Sequence, residues 1–335
     1  MSTEASSSRI QVSIDLTRPG RQVGDLQIRW SDNQRPLGCY PVPIICLANG
    51  DGPTVLLTGG VHGDEFEGPA ALMRLAQNLS VDSIRGRLIL IPALNAPAVN
   101  ASSRISPLDG VNLNRAFPGD ADGGPTQMLA HYIESVLLPQ CDAAIDLHSG
   151  GKASVFAVCT LAQIDGPLGD SNRALAEAFA APYLWVSGPN NDDRSLNAAA
   201  ARQNVPMIAA ELGGSGGCDP AMTNFTEAAL KRCLNHLGVA ALEVEDGDRS
   251  EPVTPAQTLT APAAGLFDRQ CSAGDRVEAG QIAGVLHFID EPLRDSQTIT
   301  FDNAGVVLAH TNRGVAERGD LIAMIAKPYP GDESQ

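Results

Sequence analysis

The stretch that most constrains this chain is an apolar run that ends in two glycines, a histidine and, three residues later, a glutamate. It reads Val-Leu-Leu-Thr-Gly-Gly-Val-His-Gly-Asp-Glu over residues 55–65, and a helix-forming run follows at 70–76. The pattern predicts a buried strand, a tight turn and a helix. His62 and Glu65 then lie at the carboxyl end of a strand, where open α/β sheets bind their ligands.

Two further apolar strands end in side chains of the same chemical kind. A strand predicted at 141–148 ends at His148, and another predicted at 206–211 ends at Glu211. Because open sheets gather ligands at the carboxyl ends of their strands, we expect these side chains to lie near the first pair. Two histidines and a glutamate form one of the sets that bind catalytic zinc, with one position left for water. A further glutamate beside such a set can act as a general base.

Polar residues around these strand ends suggest supporting roles. Asp146 shares a strand face with His148 and is a candidate acceptor for a histidine N–H, although it can equally serve a neighbouring loop. Arg104 and Arg115 lie in a long polar loop that we expect to cover the metal. A fixed cation stabilises the negative charge that amide hydrolysis builds on a carbonyl oxygen. Arginine also binds carboxylates bidentately, with Asn114 as a neighbouring amide donor.

Each of these features has a simpler structural interpretation when taken alone. A histidine and a glutamate three residues apart occur by chance in capped turns. His148 or Glu211 can each be a buried residue whose polar atoms are paired within the core. Polar ligand types at the ends of three apolar strands nevertheless favour a metal site. The other histidines have no ligand-type neighbour at useful spacing and are interpreted as structural: His131, His236, His287 and His310.

A serine hydrolase is the main alternative on sequence grounds. Residues 213–217 read Gly-Gly-Ser-Gly-Gly, which matches G-x-S-x-G and follows a predicted strand, as a nucleophile elbow does. Residues 218–220, Cys-Asp-Pro, separate Ser215 from the next predicted helix. We therefore predict a flexible substrate loop at this position.

The order of predicted elements indicates an α/β protein. Strands are predicted at 10–16, 25–30, 42–47, 54–58, 87–92, 141–148, 153–158, 183–186 and 206–211, and helices at 70–76, 126–138, 171–180, 195–203 and 223–237. This alternation predicts a mixed sheet with helices on both faces.

The composition changes at an acidic, breaker-rich stretch, residues 243–252. We predict a domain boundary there, with a catalytic domain at 1–248 and a small all-β domain at 252–328. Two halves with recurring glycine turns indicate a β-sandwich or barrel that resembles the biotinyl/lipoyl carrier fold. Neither half has a lysine at the hairpin tip, so we predict a structural, lid or interface module.

Charge and apolar content exclude several classes of function. A formal net charge of −16 over 335 residues argues against nucleic acid as a partner. No apolar run of about 18 residues is present, which predicts no membrane span. The N-terminal residues lack the pattern of a secretory signal. Seven scattered cysteines without a C-x-x-C pair fit free thiols in a reducing cytoplasm.

Five short motifs occur in an order that matches a known family. They are Gly-Val-His-Gly-Asp-Glu at 60–65, Asn-Ala-Pro at 95–97, Asn-Leu-Asn-Arg-Ala-Phe-Pro at 112–118, Asp-Leu-His at 146–148 and Ala-Glu-Leu-Gly at 210–213. In these motifs the chain resembles the succinylglutamate desuccinylase/aspartoacylase family, which has a zinc carboxypeptidase-like fold. The added β domain also fits this resemblance.

The resemblance implies a role for each candidate residue. It implies one Zn²⁺ per subunit bound by His62, Glu65 and His148, water activated by Glu211, a carbonyl polarised by Arg104, and a substrate carboxylate held by Asn114 and Arg115. The implied reaction is hydrolysis of a small-molecule N-acyl amino acid by an oligomeric enzyme, which we expect to be a homodimer.

Within the family, the chain looks most like the branch that deacetylates N-α-acetyl-L-2,4-diaminobutyrate in ectoine degradation. The cationic amine of that substrate needs a carboxylate, and Asp192, Asp193 and Asp219 are the loop candidates. The alternatives are a deacylase of N-acetylaspartate or N-succinylglutamate, a metallocarboxypeptidase, and a binding protein without activity.

Overall fold

The structure is a computed structural model, and it describes residues 8–187 and 192–330. The strands are β1 (Gln11–Val12), β2 (Gly20–Ile28), β3 (Tyr40–Asn49), β4 (Thr54–Gly59), β5 (Gly86–Ile91), β6 (Ala143–His148), β7 (Ser154–Phe156), β8 (Cys159–Ala162), β9 (Tyr183–Val186), β10 (Met207–Glu211), β11 (Glu251–Thr260), β12 (Gly265–Arg269), β13 (Arg276–Val277), β14 (Ile282–His287), β15 (Gln297–Thr300), β16 (Gly305–Thr311), β17 (Val315–Ala316) and β18 (Leu321–Pro328). The α-helices are α1 (Glu67–Asn78), α2 (Ala96–Asn100), α3 (Pro125–Tyr132), α4 (Gly169–Phe179), α5 (Leu196–Arg202) and α6 (Pro220–His236). None of these helices has the length and apolar character that crossing a bilayer requires.

A large mixed sheet organises the chain. Its strands lie in the order β1-β2-β3-β5-β4-β6-β10-β8-β9-β11-β18-β16-β13, with β7 paired to β16. The central strands β5, β4, β6 and β10 are parallel to one another, whereas β5 is antiparallel to β3 and β10 is antiparallel to β8. Their residues are buried with few exceptions, as expected for parallel strands covered on both faces.

Helices cover both faces of this central sheet. Along β4, Leu56 packs into one apolar cluster with residues of α2, α3 and α5. Its neighbours Val55 and Leu57 pack into a second cluster with residues of α1, α4 and α6. Alternate side chains of a strand point to opposite faces, so one short strand contributes to both cores. The predicted mixed α/β fold is therefore confirmed.

Several predicted element boundaries are wrong in ways that local contacts explain. The strand predicted at 10–16 pairs only over β1, because the chain leaves the ladder and turns at Asp15, whose carbonyl accepts the Arg18 N–H. The helix predicted at 126–138 keeps α geometry only in α3, and a wider turn at Ile133–Leu137 follows. Helix α6 begins at Pro220, three residues before the predicted start, with Asp219 as its N-cap.

The C-terminal strands form a separate four-stranded sheet and also extend the main one. Strands β15, β14, β12 and β17 make the separate antiparallel sheet, as expected for an all-β segment. Strand β11 instead runs parallel to β9, with Val253 opposite Trp185. The main sheet thus continues past residue 250, while the division at 248–252 and the likeness to a carrier fold stay predictions.

Candidate active site

The turn after β4 needs glycine at two positions for different physical reasons. Gly60 has φ +67°, a conformation that residues with a Cβ rarely adopt. A Cβ on Gly63 would lie 2.0 Å from the Ala98 carbonyl carbon, so only glycine allows this close approach. The Gly63 N–H donates to the Ser103 carbonyl (3.0 Å), which holds the loop carrying Arg104 against the turn.

His62, Glu65 and His148 meet at the carboxyl ends of β4 and β6. Glu65 Oε1 lies 2.7 Å from His62 Nδ1, and Glu65 Oε2 lies 3.0 Å from His148 Nδ1. One ligand atom from each of the three buried residues lies within 4.8 Å of the others. No second group of this kind occurs in residues 8–187 and 192–330, and the four histidines interpreted as structural lie outside it.

The remaining ring nitrogen of each histidine is fixed by another side chain. His148 Nε2 donates to Asp146 Oδ2 at 2.7 Å, and Thr58 Oγ1 donates to the other Asp146 oxygen at 2.6 Å. His62 Nε2 donates to Asn112 Oδ1 at 3.2 Å. In a neutral histidine these bonds place the proton on Nε2. The lone pair is then on Nδ1, the nitrogen that faces Glu65, which is what a metal ligand requires.

Burial and charge act in opposite directions at the cluster. Burial favours a neutral Glu65, but His62 and His148 outweigh it and hold the pKa of Glu65 well below its usual range. Burial likewise disfavours a charged His148, but Asp146 and Glu65 raise its pKa well above the usual range. The charged forms of Glu65 and His148 therefore stabilise each other, so a positive charge beside Glu65 is favoured.

Glu211 stands beside this cluster because of strand register. It ends β10 and pairs directly with His148 of β6. Its Oε2 atom is buried without a hydrogen-bond partner. Burial, reinforced by the Glu65 charge, raises the pKa of Glu211 to about 8 in the metal-free protein. A carboxyl group with a raised pKa next to a metal-binding set is a candidate for proton transfer, and Glu211 as the general base stays a prediction.

This pKa predicts how the stability of the metal-free protein depends on pH. The folded-state pKa of Glu211, about 8, exceeds the usual value of 4.5. The folded state therefore binds the proton more tightly, and its contribution to stability is lost as pH rises from about 4.5 to 8. We expect metal-free Glu211→Gln to unfold at a higher temperature than metal-free wild type at pH 8, with the difference shrinking towards pH 5. Calorimetry across pH measures this, and a difference independent of pH would contradict it.

The three predicted residues of the long loop lie on the wall of the same pocket. Arg104 Nη1 donates to Glu65 Oε1 at 3.2 Å. Asn114 Oδ1 accepts the Leu196 N–H at 3.0 Å, which leaves the amide N–H groups of Asn114 for a ligand. Arg115 pairs through Nε with Asp192 at 2.9 Å and donates through Nη1 to the Asn114 carbonyl. Its guanidinium is therefore held in place while remaining partly exposed.

The pocket contains residues that sequence patterns did not single out. It has a volume of about 740 Å³ and includes the metal-binding group, Glu211 and the loop residues. Its far wall comes from β7, β8 and β9, with Phe156 and Trp185 as aromatic members. Thr254 and Pro255 of β11 close one side. Only the pairing of β11 with β9 brings them there, and no local motif marks them.

The three aspartates that the sequence offers as partners of a substrate amine lie in different places. Asp192 lines the pocket, whereas Asp193 lines a neighbouring cavity. Asp219 caps α6 by accepting the Met222 N–H at 2.9 Å.

Ser215 is exposed, with φ +78°, and lies five residues before α6. A nucleophile elbow places its serine directly at the helix start, so this loop does not have that geometry.

The donor set fits a divalent metal ion. Two imidazole nitrogens and one carboxylate, all from buried residues, are the ligand types of catalytic zinc, and each histidine is also held by a hydrogen bond from its other ring nitrogen. Beside them lies Glu211, whose buried Oε2 atom has no hydrogen-bond partner and which is the candidate general base. Fold and site together define the class of this protein as a hydrolytic enzyme with a zinc carboxypeptidase-like fold.

Comparisons with known proteins give the family. The family model described as Succinylglutamate desuccinylase/Aspartoacylase catalytic domain matches residues 51–237. The N-alpha-acetyl-L-2,4-diaminobutyric acid deacetylase of Halomonas elongata is 34% identical over 331 residues, covering 96% of this chain and 95% of that protein. The chain belongs to the succinylglutamate desuccinylase/aspartoacylase family, as its motifs indicate, and it is a hydrolase of amide bonds.

Solved structures agree with this assignment. The product-bound Ectoine utilization protein EutE (DoeB) from Ruegeria pomeroyi has 32% identity and a TM-score of 0.92, covering 96% of this chain and 99% of that chain. The succinylglutamatedesuccinylase/aspartoacylase from Rhodobacter sphaeroides has 33% identity and a TM-score of 0.91, covering 96% and 100%. Both cover nearly the full length of the chain, C-terminal strands included.

Proposed function

We propose that this chain is a zinc-dependent deacetylase of N-α-acetyl-L-2,4-diaminobutyrate that holds one Zn²⁺ per subunit at His62, Glu65 and His148. Its similarity to a deacetylase of that name and to an ectoine utilization protein supports the substrate. The observation in this chain that best supports the proposal is that Arg104 and Arg115 are the two cationic side chains among the described residues that line the pocket.

Carboxylates outnumber cations in that pocket. Within the described residues, its charged members are Asp64, Glu65, Asp192, Glu211, Arg104 and Arg115. If Arg115 holds the α-carboxylate and Arg104 faces the scissile carbonyl, no further lining cation is left for a second carboxylate. N-acetylaspartate and N-succinylglutamate both carry additional carboxylates, whereas diaminobutyrate carries an ammonium group. This lack of a further cation favours the substrate with the ammonium group. Asp192, which lines the pocket and also pairs with Arg115 and Arg194, is the candidate carboxylate for that group.

In the proposed hydrolysis each residue of the site has a separate role. Zn²⁺ held at the three ligands would supply a Lewis acid that lowers the pKa of water and of Glu211. Glu211 removes a proton from the attacking water as the new C–O bond forms, and it delivers that proton to the α-nitrogen as the C–N bond breaks. Arg104 stabilises the negative charge on the carbonyl oxygen, and Asn114 with Arg115 holds the carboxylate. The products are acetate and L-2,4-diaminobutyrate.

A substrate comparison tests the proposal. We expect release of acetate from N-α-acetyl-L-2,4-diaminobutyrate with a kcat/KM on the order of 100-fold or more above that for N-acetylaspartate or N-succinylglutamate. A peptide with a free C-terminus, offered in parallel, tests the carboxypeptidase alternative. Equal rates on the dicarboxylic substrates, or faster cleavage of the peptide, would contradict the assignment. No turnover with any of them would favour a binding protein.

We further propose that the protein is a cytoplasmic homodimer. All seven cysteines are free thiols, which supports a reducing cytoplasm. We also propose that the chain forms a homodimer and binds neither nucleic acid nor membranes. Light scattering after size exclusion measures the assembly directly.

A further inference from the structure

Asn112 connects two parts of the site that lie far apart in the chain. It is the residue just before the short helical turn Leu113–Arg115, and it has extended backbone angles. Its side-chain oxygen accepts two hydrogen bonds at once. One comes from His62 Nε2 (3.2 Å) and the other from the Asn114 backbone N–H (2.9 Å).

The first bond acts on the metal-binding group. His62 has one nitrogen facing Glu65 and the other facing Asn112. An acceptor at the second nitrogen selects the tautomer and fixes the plane of the ring. Asp146 does the same for His148. Asn112 is thus the counterpart of Asp146 on the other histidine, with a neutral amide in place of a carboxylate.

The second bond acts on the turn that holds the carboxylate-binding residues. Leu113 is fully buried in the core, and its packing there holds the turn in place. The Asn112 oxygen accepts the hydrogen bond of the Asn114 N–H, which lies in the first turn and has no carbonyl partner within it. Asn114 and Arg115 follow directly, so the direction of their side chains depends on this cap.

We propose that Asn112 is a positioning residue that serves both halves of the active site, the metal ligand His62 and the carboxylate-binding turn. A single oxygen atom fixes the distance between them, because both donors converge on it. This inference rests on the proposed function, since it takes zinc to bind at His62 and the substrate carboxylate to bind at Arg115.

The experiment compares Asn112→Ala with Asn112→Asp and reads each half separately. Competition with a chromophoric chelator measures the affinity for Zn²⁺, hydrogen exchange measures protection of the 113–115 amides, and KM for N-α-acetyl-L-2,4-diaminobutyrate measures carboxylate binding. We expect Asn112→Ala to weaken zinc binding about 10- to 100-fold. The same variant should speed exchange at the turn and raise KM at saturating zinc. Asn112→Asp keeps an acceptor for both donors and should restore all three.

Two matched controls separate this double role from general damage. Asp146→Ala should weaken zinc binding without changing exchange at 113–115, and Arg115→Met should raise KM without changing zinc binding. If Asn112→Ala alters only one half, or if folded Asn112→Asp rescues neither, the proposal is overturned. Absence of acetate release by the wild type would refute the proposed function instead, and the zinc and exchange measurements would still decide the role of Asn112.

Discussion

Replacing Glu211 by glutamine is expected to lower kcat by about 10²- to 10⁴-fold, the usual contribution of a general acid–base residue. Glutamine keeps the shape of the side chain but cannot accept the proton of the attacking water. Glu211 ends a parallel strand in register with His148, so its position does not depend on its charge. The buried, unpartnered oxygen is the group whose loss matters. Steady-state kinetics on the acetylated substrate, with zinc content measured in parallel, gives the result.

Zinc content is the essential control for this variant. Glu211 is not a member of the metal-binding group, so the variant should bind zinc as the wild type does. KM should change little, because Asn114 and Arg115 are untouched. A variant that keeps more than about a tenth of the wild-type kcat would show that another group performs the proton transfer.

If the proposed zinc ion is bound, its removal is expected to abolish activity altogether. Dialysis against dipicolinate should reduce acetate release to background, and one equivalent of Zn²⁺ per chain should restore it. His148→Ala should be inactive with or without added zinc, because it removes one of the three proposed zinc ligands and the hydrogen-bond partner of Glu65 Oε2. Metal analysis and activity on the same samples measure both effects.

The serine alternative makes the opposite prediction. A serine-reactive phosphonate should leave activity unchanged, and Ser215→Ala should retain the wild-type rate. Inhibition by the phosphonate with full activity after chelation would refute the metal mechanism. The position of Ser215, five residues before α6, already separates it from an elbow geometry.

Local patterns predicted the parts of the fold that depend on neighbouring residues. Apolar runs bounded by glycine predicted the central strands β4, β5, β6 and β10, because buried parallel strands read as continuous apolar segments. Short elements were harder to predict. Strand β8 has four residues and helix α2 has five, so neither shows a full hydrophobic period. Their hydrogen bonds and packing with distant segments define them instead.

The sequence by itself determined which chemical groups end the central strands and which motifs surround them. Chain order alone fixes that a histidine, a glutamate or an aspartate follows an apolar run, and the motif spacing indicated the family. Tertiary structure decided which atoms meet. Only strand register puts Glu211 opposite His148. Only folding brings Asn112 to a histidine fifty residues away and Thr254 to the pocket wall. The physical reason is that these contacts depend on register and packing between distant segments, which local periodicity does not encode.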